Sequence, residues 1–166
     1  QKDKRDVFEV FIQLGAMLAV IWEYRLKIGN TVTGAIHPGP QRRLCLGIVL
    51  AFIPAAVAGL LLGHTIKAYL FAPVPVATAF IVGGVLILWA ERRLHHVSVS
   101  TVDDMTLGKA GGIGFLQCLA LIPGTSRSGA TIIGGLFFGL SRTAATEFSF
   151  FLGIPTLGAA SLYSLF

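Results

Sequence analysis

A polytopic all-α membrane bundle is the fold class this sequence predicts, and three observations predict it. Hydrophobic residues make up 54% of the 166 positions, only 13% are charged, and the mean hydropathy is +0.78, a balance that does not describe a soluble globule. Uncharged runs of membrane-crossing length recur along the chain. One further apolar stretch is interrupted by Gly, Pro and Ser, the pattern of a broken or re-entrant helix.

The elements follow in order. Residues 7–22 form a first candidate span, slightly short and carrying Glu9 and Gln13. Leu44 to Leu62 holds 19 residues without a charge, which as a helix at ~1.5 Å per residue covers most of a ~30 Å hydrocarbon core. Residues 74–90 and 148–166 repeat the argument. Between Lys109 and Arg142 the only charge is Arg127, and PGTSRSG breaks the stretch into arms at 110–123 and 129–140. Each arm falls below the ~17 to 25 residues that a spanning helix needs, so the two are expected to meet at a loop at membrane depth. A single integral-membrane domain over 1–166 is expected, continuing at both ends, because the chain opens without Met and closes inside an apolar run.

The segment EVFIQLG at Glu9 to Gly15 is echoed by EFSFFLG at Glu147 to Gly153. Read as a repeat, it predicts two related halves around a central polar site, half or more of an inverted-repeat architecture. A second re-entrant loop would then precede Gln1.

The net charge of +5 is placed between the apolar runs, at Arg25 and Lys27, Arg42 and Arg43, Arg92 and Arg93. That is the signature of helix ends at a headgroup surface rather than of a nucleic-acid interface. Cys45 and Cys118 lie inside apolar stretches without metal-ligand or disulfide spacing and are expected as small buried hydrophobes. His37, His64, His95 and His96 fall in polar connections and are assigned to the interface.

The candidate site is the loop PGTSRSGAT. Thr125, Ser126, Ser128 and Thr131 surround the guanidinium of Arg127. Arg offers phosphate a planar fork of donors and keeps its charge at any accessible pH. Gly124 and Gly129 let the backbone approach an anion closely, and a helix starting near Gly129 would aim its N–H groups at the same place. The plain alternative is an Arg anchoring a helix end. Glu147 is open to four roles: metal ligand, partner of Arg127, proton shuttle, or an acid favoured by the dipole at a helix N-terminus. Glu9, Gln13 and Gln117 are supporting polar candidates, Gln117 as a hydrogen-bonding partner.

FEVFIQLGAMLAV, the DDMT at Asp103 to Thr106, FLQCLALIPGTSRSGATIIGG and EFSFFLGIPT together resemble the undecaprenyl-diphosphate phosphatase family of the bacitracin-resistance type, in the same order and along essentially the whole chain. PGTSRSGAT resembles one of that family's two signature motifs. The other, a Glu-rich helix followed by a Pro-Val-Ser-Ser-Thr-Gly-His loop, is not in this sequence and is expected before Gln1.

The resemblance implies hydrolysis of a C55 polyprenyl diphosphate to the monophosphate, recycling the lipid carrier of cell-wall synthesis in the bacterial inner membrane. It implies Ser126 and Arg127 as catalytic residues, and Thr125, Ser126, Arg127, Ser128, Gly129 and Thr131 as phosphate ligands. It also implies a divalent cation, Mg or Ca, whose ligands would lie in the absent motif, so that the 166 residues alone are expected to be inactive. The expected partners are the lipid diphosphate and the bilayer, with a second copy of the chain as a further candidate and no nucleic acid. A transporter or flippase of an anionic lipid or small anion is the competing reading, since broken helices also serve transport. Charge counting places the connection 23–43 in the cytoplasm and makes the hairpin open inward; the resemblance implies an extracytoplasmic site.

Overall fold

The computed structural model describes residues 4–93 and 96–165; the side chains of residues 4–11, 13, 14, 67 and 162–165 lie outside the described set. The fold is all-α. In order come α1 (Lys4–Glu23), α2 (Arg25–Gly34), α3 (Pro40–Leu70), α4 (Pro73–Arg93), a 3-10 turn at Val102–Asp104, α5 (Leu107–Gln117) continued by a 3-10 stretch at Cys118–Leu121, α6 (Arg127–Phe137) and α7 (Arg142–Leu165). Among the described residues, Pro40–Ile66 and Pro73–Arg93 are long and apolar enough to cross a membrane. On α4 the large side chains Phe80, Ile81, Val85 and Leu88 are exposed, as expected of a helix whose solvent is lipid.

The polar connection 23–43 contains α2, a helix that apolar periodicity did not indicate because its residues are mostly polar and exposed. Tyr24 at the α1–α2 junction packs on Phe150 and Phe151 of α7, with ring centroids 5.9 and 5.5 Å apart. Lys27 of α2 reaches Glu147 Oε1 at 2.7 Å and Asp103 Oδ2 at 3.6 Å. Arg43 Nη2 donates to the carbonyl of Asp103 at 2.8 Å. These contacts gather α2 and the first turns of α3 and α7 at one end of the bundle, called here the basic end because Arg42, Arg43, Arg92, Arg93, Lys109 and Arg142 also sit there. His64, expected in a connection, lies inside α3, which runs eight residues past the apolar segment. His95 lies outside the described residues. Cys45 and Cys118 are free thiols and only half-buried.

The core fills the basic half of the bundle, where Leu44, Ala51, Val102, Met105, Ile113, Leu140, Phe148 and Leu152 pack together. Small residues allow α5 to lie directly on α3. A Cβ on Gly47 would meet that of Ala110 at 3.1 Å, and one on Gly114 would fall 2.5 Å from the Cα and carbonyl oxygen of Ala51. Further along, Gly59 faces Leu121. The order 47, 51, 59 against 110, 114, 121 makes α5 run parallel to α3, away from the basic end, and α6 then returns. The arms thus form a hairpin entering from the basic end. Its reach exceeds what the length of α5 alone suggests, because the 3-10 stretch rises ~2 Å per residue. Leu121 lies level with Gly59, 19 residues beyond Pro40, or ~28 Å along α3.

The Gly114 contact is with main chain, which cannot move aside. Gly114→Val should therefore lower stability in detergent by about 1 to 3 kcal/mol or prevent folding, as overpacking does. Gly108→Ala, where nothing lies within 4 Å, should leave the melting temperature unchanged or slightly raised. Equal thermal unfolding curves for the two variants would show that α3 and α5 are not in this contact.

Candidate anion site at the hairpin tip

The tip is built from the turn Ile122–Ser126. The amide of Thr125 donates to the carbonyl of Ile122 at 3.0 Å, and Gly124 has φ +93°, a conformation that strongly favours glycine. It is also pressed on α4: a Cβ there would fall 2.5 Å from the carbonyl oxygen of Val76 and 3.2 Å from the Cβ of Ala79.

The helix leaving the turn starts at Arg127 rather than near Gly129. Ser126 is its N-cap, with Oγ accepting from the Gly129 amide at 3.1 Å, so the hydroxyl nucleates the helix two residues earlier than the glycine suggested. Arg127 and Ser128 occupy the first two helical positions, whose amides have no acceptor within a helix. They point away from the basic end. Ser126 is exposed, and its Oγ lies 3.3 Å from that of Ser128.

Thr131 is turned the other way. Buried one turn into α6, its Oγ1 lies 3.0 and 3.1 Å from the carbonyls of Arg127 and Ser128 and 2.6 Å from Ser149 Oγ on α7. It is a strut between helices rather than a surface hydroxyl, which corrects its expected place among the groups facing an anion. Ser149, not anticipated from the sequence, is fully buried.

Arg127 lies against α7 where that helix has no side chain. A Cβ on Gly153 would fall 2.8 Å from both Nη1 and Nη2 and 3.2 Å from Cζ. Ser149 and Gly153 are four apart and share a face of α7, so one face both bolts the first turn of α6 and seats the guanidinium. Their signal in the sequence was present but unread: two small residues spaced four apart inside the EFSFFLG echo. Gly153 lies 11 residues into α7, ~17 Å from its start, which seats the guanidinium about midway along that helix.

Nη1 of Arg127 is buried without a hydrogen-bond partner among the described residues. No described carboxylate pairs with it. Glu147 is engaged by Lys27 and sits six residues before Gly153, ~9 Å away along the axis and well round the helix; of the roles left open for it, this geometry supports a structural ion pair at the basic end. Gln117, only 1% exposed, likewise has no partner for either amide atom and makes no bond to Arg127. The side chains of Glu9 and Gln13 lie outside the described residues. No group of three or more His, Cys, Asp or Glu suited to a metal ion occurs among the described residues.

A helical membrane protein with a hairpin of two short helices, carrying at its tip a guanidinium without a carboxylate partner among the described residues and the first amides of a helix, is the class that fold and site define. The family model described as bacitracin resistance protein BacA matches residues 1–166, and the chain belongs to that family. It is similar to undecaprenyl-diphosphatase 1 of Chromobacterium violaceum, with 76% identity over 99% of this chain and 61% of the relative. Undecaprenyl-diphosphatase 2 of Rhodospirillum rubrum is 63% identical and undecaprenyl-diphosphatase of Nitrosospira multiformis 62% identical, each over 99% of this chain and 60% of the relative. The chain spans about three fifths of the length of these curated relatives.

The Thr131–Ser149 bond can be tested by a mutant cycle. Thr131→Val leaves Ser149 buried without its partner and should cost about 1 to 3 kcal/mol, whereas Thr131→Val with Ser149→Ala, which removes both hydroxyls, should cost less than the sum of the single variants. Strictly additive losses in thermal unfolding would show that the two hydroxyls do not interact.

Proposed function

We propose that the full-length protein hydrolyses undecaprenyl diphosphate to undecaprenyl phosphate and phosphate, and that this chain supplies the part that holds the diphosphate. The observation that carries the reading is the guanidinium of Arg127, seated on Gly153 midway along α7 with a buried Nη1 and no carboxylate partner among the described residues. A buried cation left unpaired is costly. A phosphate group removes that cost, because its oxygens accept from both arms of the fork. The names of the relatives supply the substrate, and the chemistry of the tip suits it: the polyprenyl tail remains in lipid while only the diphosphate reaches the hydroxyls and the guanidinium.

In this reading Arg127 and the first amides of α6 neutralise the charge that redistributes over the non-bridging oxygens as the anhydride P–O bond breaks. Ser126 accepts from Gly129 through a lone pair and retains its own proton to donate to a phosphate oxygen. Thr125, Ser128 and Gly129 complete the rim, and Thr131 acts from beneath by holding the helix. A divalent cation would neutralise further phosphate charge. The described residues at the tip, hydroxyls and a guanidinium, do not form a site for one, so its ligands would come from the part of the longer relatives that this chain does not span.

The same geometry supports an extracytoplasmic opening in the bacterial plasma membrane. The basic end carries the Lys/Arg-rich connections and belongs in the cytoplasm by the positive-inside rule. The hairpin enters from there, yet its tip lies against Val76, three residues from the opposite end of α4, and the α6 N-terminus faces that opposite end. Inward entry of the hairpin and outward opening of the site are therefore compatible. The role that follows is recycling of the lipid carrier for cell-wall synthesis.

In the full-length protein Arg127→Lys should reduce steady-state phosphate release by about 100- to 1000-fold, because the charge remains while the two-pronged geometry is lost. Gly153→Val should act in the same direction by expelling the guanidinium from its seat, with Arg127 itself intact. Well-folded Arg127→Lys protein retaining a third or more of wild-type turnover would reduce this Arg to a helix anchor and remove the basis of the reading.

A further inference from the structure

A cavity lies at the basic end, at the opposite end of α6 from Arg127. It is a half-open cavity of about 350 Å³ lined by Arg93, His96, Ser98, Phe137, Phe138 and Gly139, among others, a size within the range of small-ligand pockets. Its frame is fixed by hydrogen bonds. The amides of Ser98 and Val99 both donate to the carbonyl of Gly139, at 2.8 and 3.0 Å, and the amide of Ser141 donates to the carbonyl of Val99 at 2.8 Å. Gly139 has φ +80°, and a Cβ there would lie 2.5 Å from Ser98 Oγ, so the wall closes only with glycine at this position.

The charge around the cavity is one-sided. Lys109 Nζ donates to Ser98 Oγ at 2.7 Å, placing a second cation against the lining residue Ser98. The acid nearest in sequence, Glu91, pairs with Arg142 at 3.3 Å. Neither Arg93 nor Lys109 has a carboxylate partner among the described residues. The surroundings are those of a headgroup layer: Trp89, one turn before Arg93, is 49% exposed and Phe137 on the rim is 62% exposed. Aromatic rings and arginines at a helix end mark the membrane–water interface.

We infer that this cavity is a binding site for a phosphate-bearing lipid headgroup from the leaflet at the basic end, with Arg93 holding the phosphate, Lys109 adding positive charge from beside Ser98, and Phe137 lying along the first carbons of the chain. The inference is independent of the function of the Arg127 site. A glycerophospholipid and a polyprenyl monophosphate carry the same phosphate ester, and the test separates them.

The full-length protein with Arg127→Gln, which silences the hairpin-tip site, is titrated in detergent with phosphatidylglycerol, farnesyl monophosphate or phosphatidylcholine and followed by native mass spectrometry. At least one of the two anionic lipids should bind about tenfold or more tightly than phosphatidylcholine, and the tighter of the two identifies the source. Adding Arg93→Gln and Lys109→Gln should weaken that binding about tenfold or more, the equivalent of one charge-assisted hydrogen bond, while Arg93→Lys should retain most of it. A photoactivatable analogue of the tighter lipid should label the peptide containing Phe137, a readout that needs no variant at the cavity. Equal binding of anionic and zwitterionic lipids, affinity unchanged by the paired Gln substitutions, labelling confined to other peptides, or displacement by equimolar inorganic phosphate would each overturn the assignment.

Discussion

The seat of Arg127 on Gly153 is the contact around which the rest of the structure is arranged. A guanidinium buried among helices has to be held by packing, and its charge calls for a counter-ion. Gly153 provides the first condition by omitting a side chain. Among the described residues the nearby acids are engaged elsewhere, Glu147 with Lys27 and Glu91 with Arg142, both at the basic end. Had Glu147 lain on the same face of α7 as Gly153, it would have neutralised the fork and left nothing for a phosphate to do.

Holding that Arg requires the whole hairpin to be rigid. The tip is pinned by Gly124 against the main chain of α4, the entering arm by Gly114 against the main chain of α3, and the leaving arm by the buried Thr131–Ser149 bond to α7. In lipid, where burying apolar surface gives helices little reason to associate, close approach of backbones and interhelical hydrogen bonds supply the attraction. The glycines and hydroxyls of residues 111–135 serve that association as well as the site. The core of larger apolar side chains is confined to the basic half, leaving the opposite half of the hairpin to be shaped by small residues and open to a ligand.

The two ends of α6 present different chemistry from a single short helix. Its N-terminus offers unpaired amides and a deep cation, suited to an anion drawn into the protein. Its C-terminus ends in the Gly139 turn beside Arg93 and Lys109, at the level of the headgroups. Eleven residues thus link the proposed anion site with the cavity at the basic end.

Composition and the lengths of the uncharged runs were enough to determine from the sequence that the chain is helical and membrane-embedded, since both follow from the cost of exposing backbone and charge to hydrocarbon. The broken helix was legible because its Gly/Pro/Ser interruption cannot continue a helix, and Arg127 was legible because it is the single charge between Lys109 and Arg142. Helix α2 was not legible, because its mostly polar residues carry no apolar periodicity and contacts with α3 and α7 hold it. The tertiary structure alone decided which hydroxyls are exposed and which act as struts: Thr131 and Ser126 are alike in a sequence, but Ser126 caps α6 at the open tip while Thr131, one turn into the helix, is buried against Ser149 of α7. It alone decided that Glu147 belongs to Lys27 and that Gly153, 26 residues away from Arg127, is the surface on which the guanidinium rests. Those are relations between helices, set by packing across the bundle, and no local pattern along the chain encodes them.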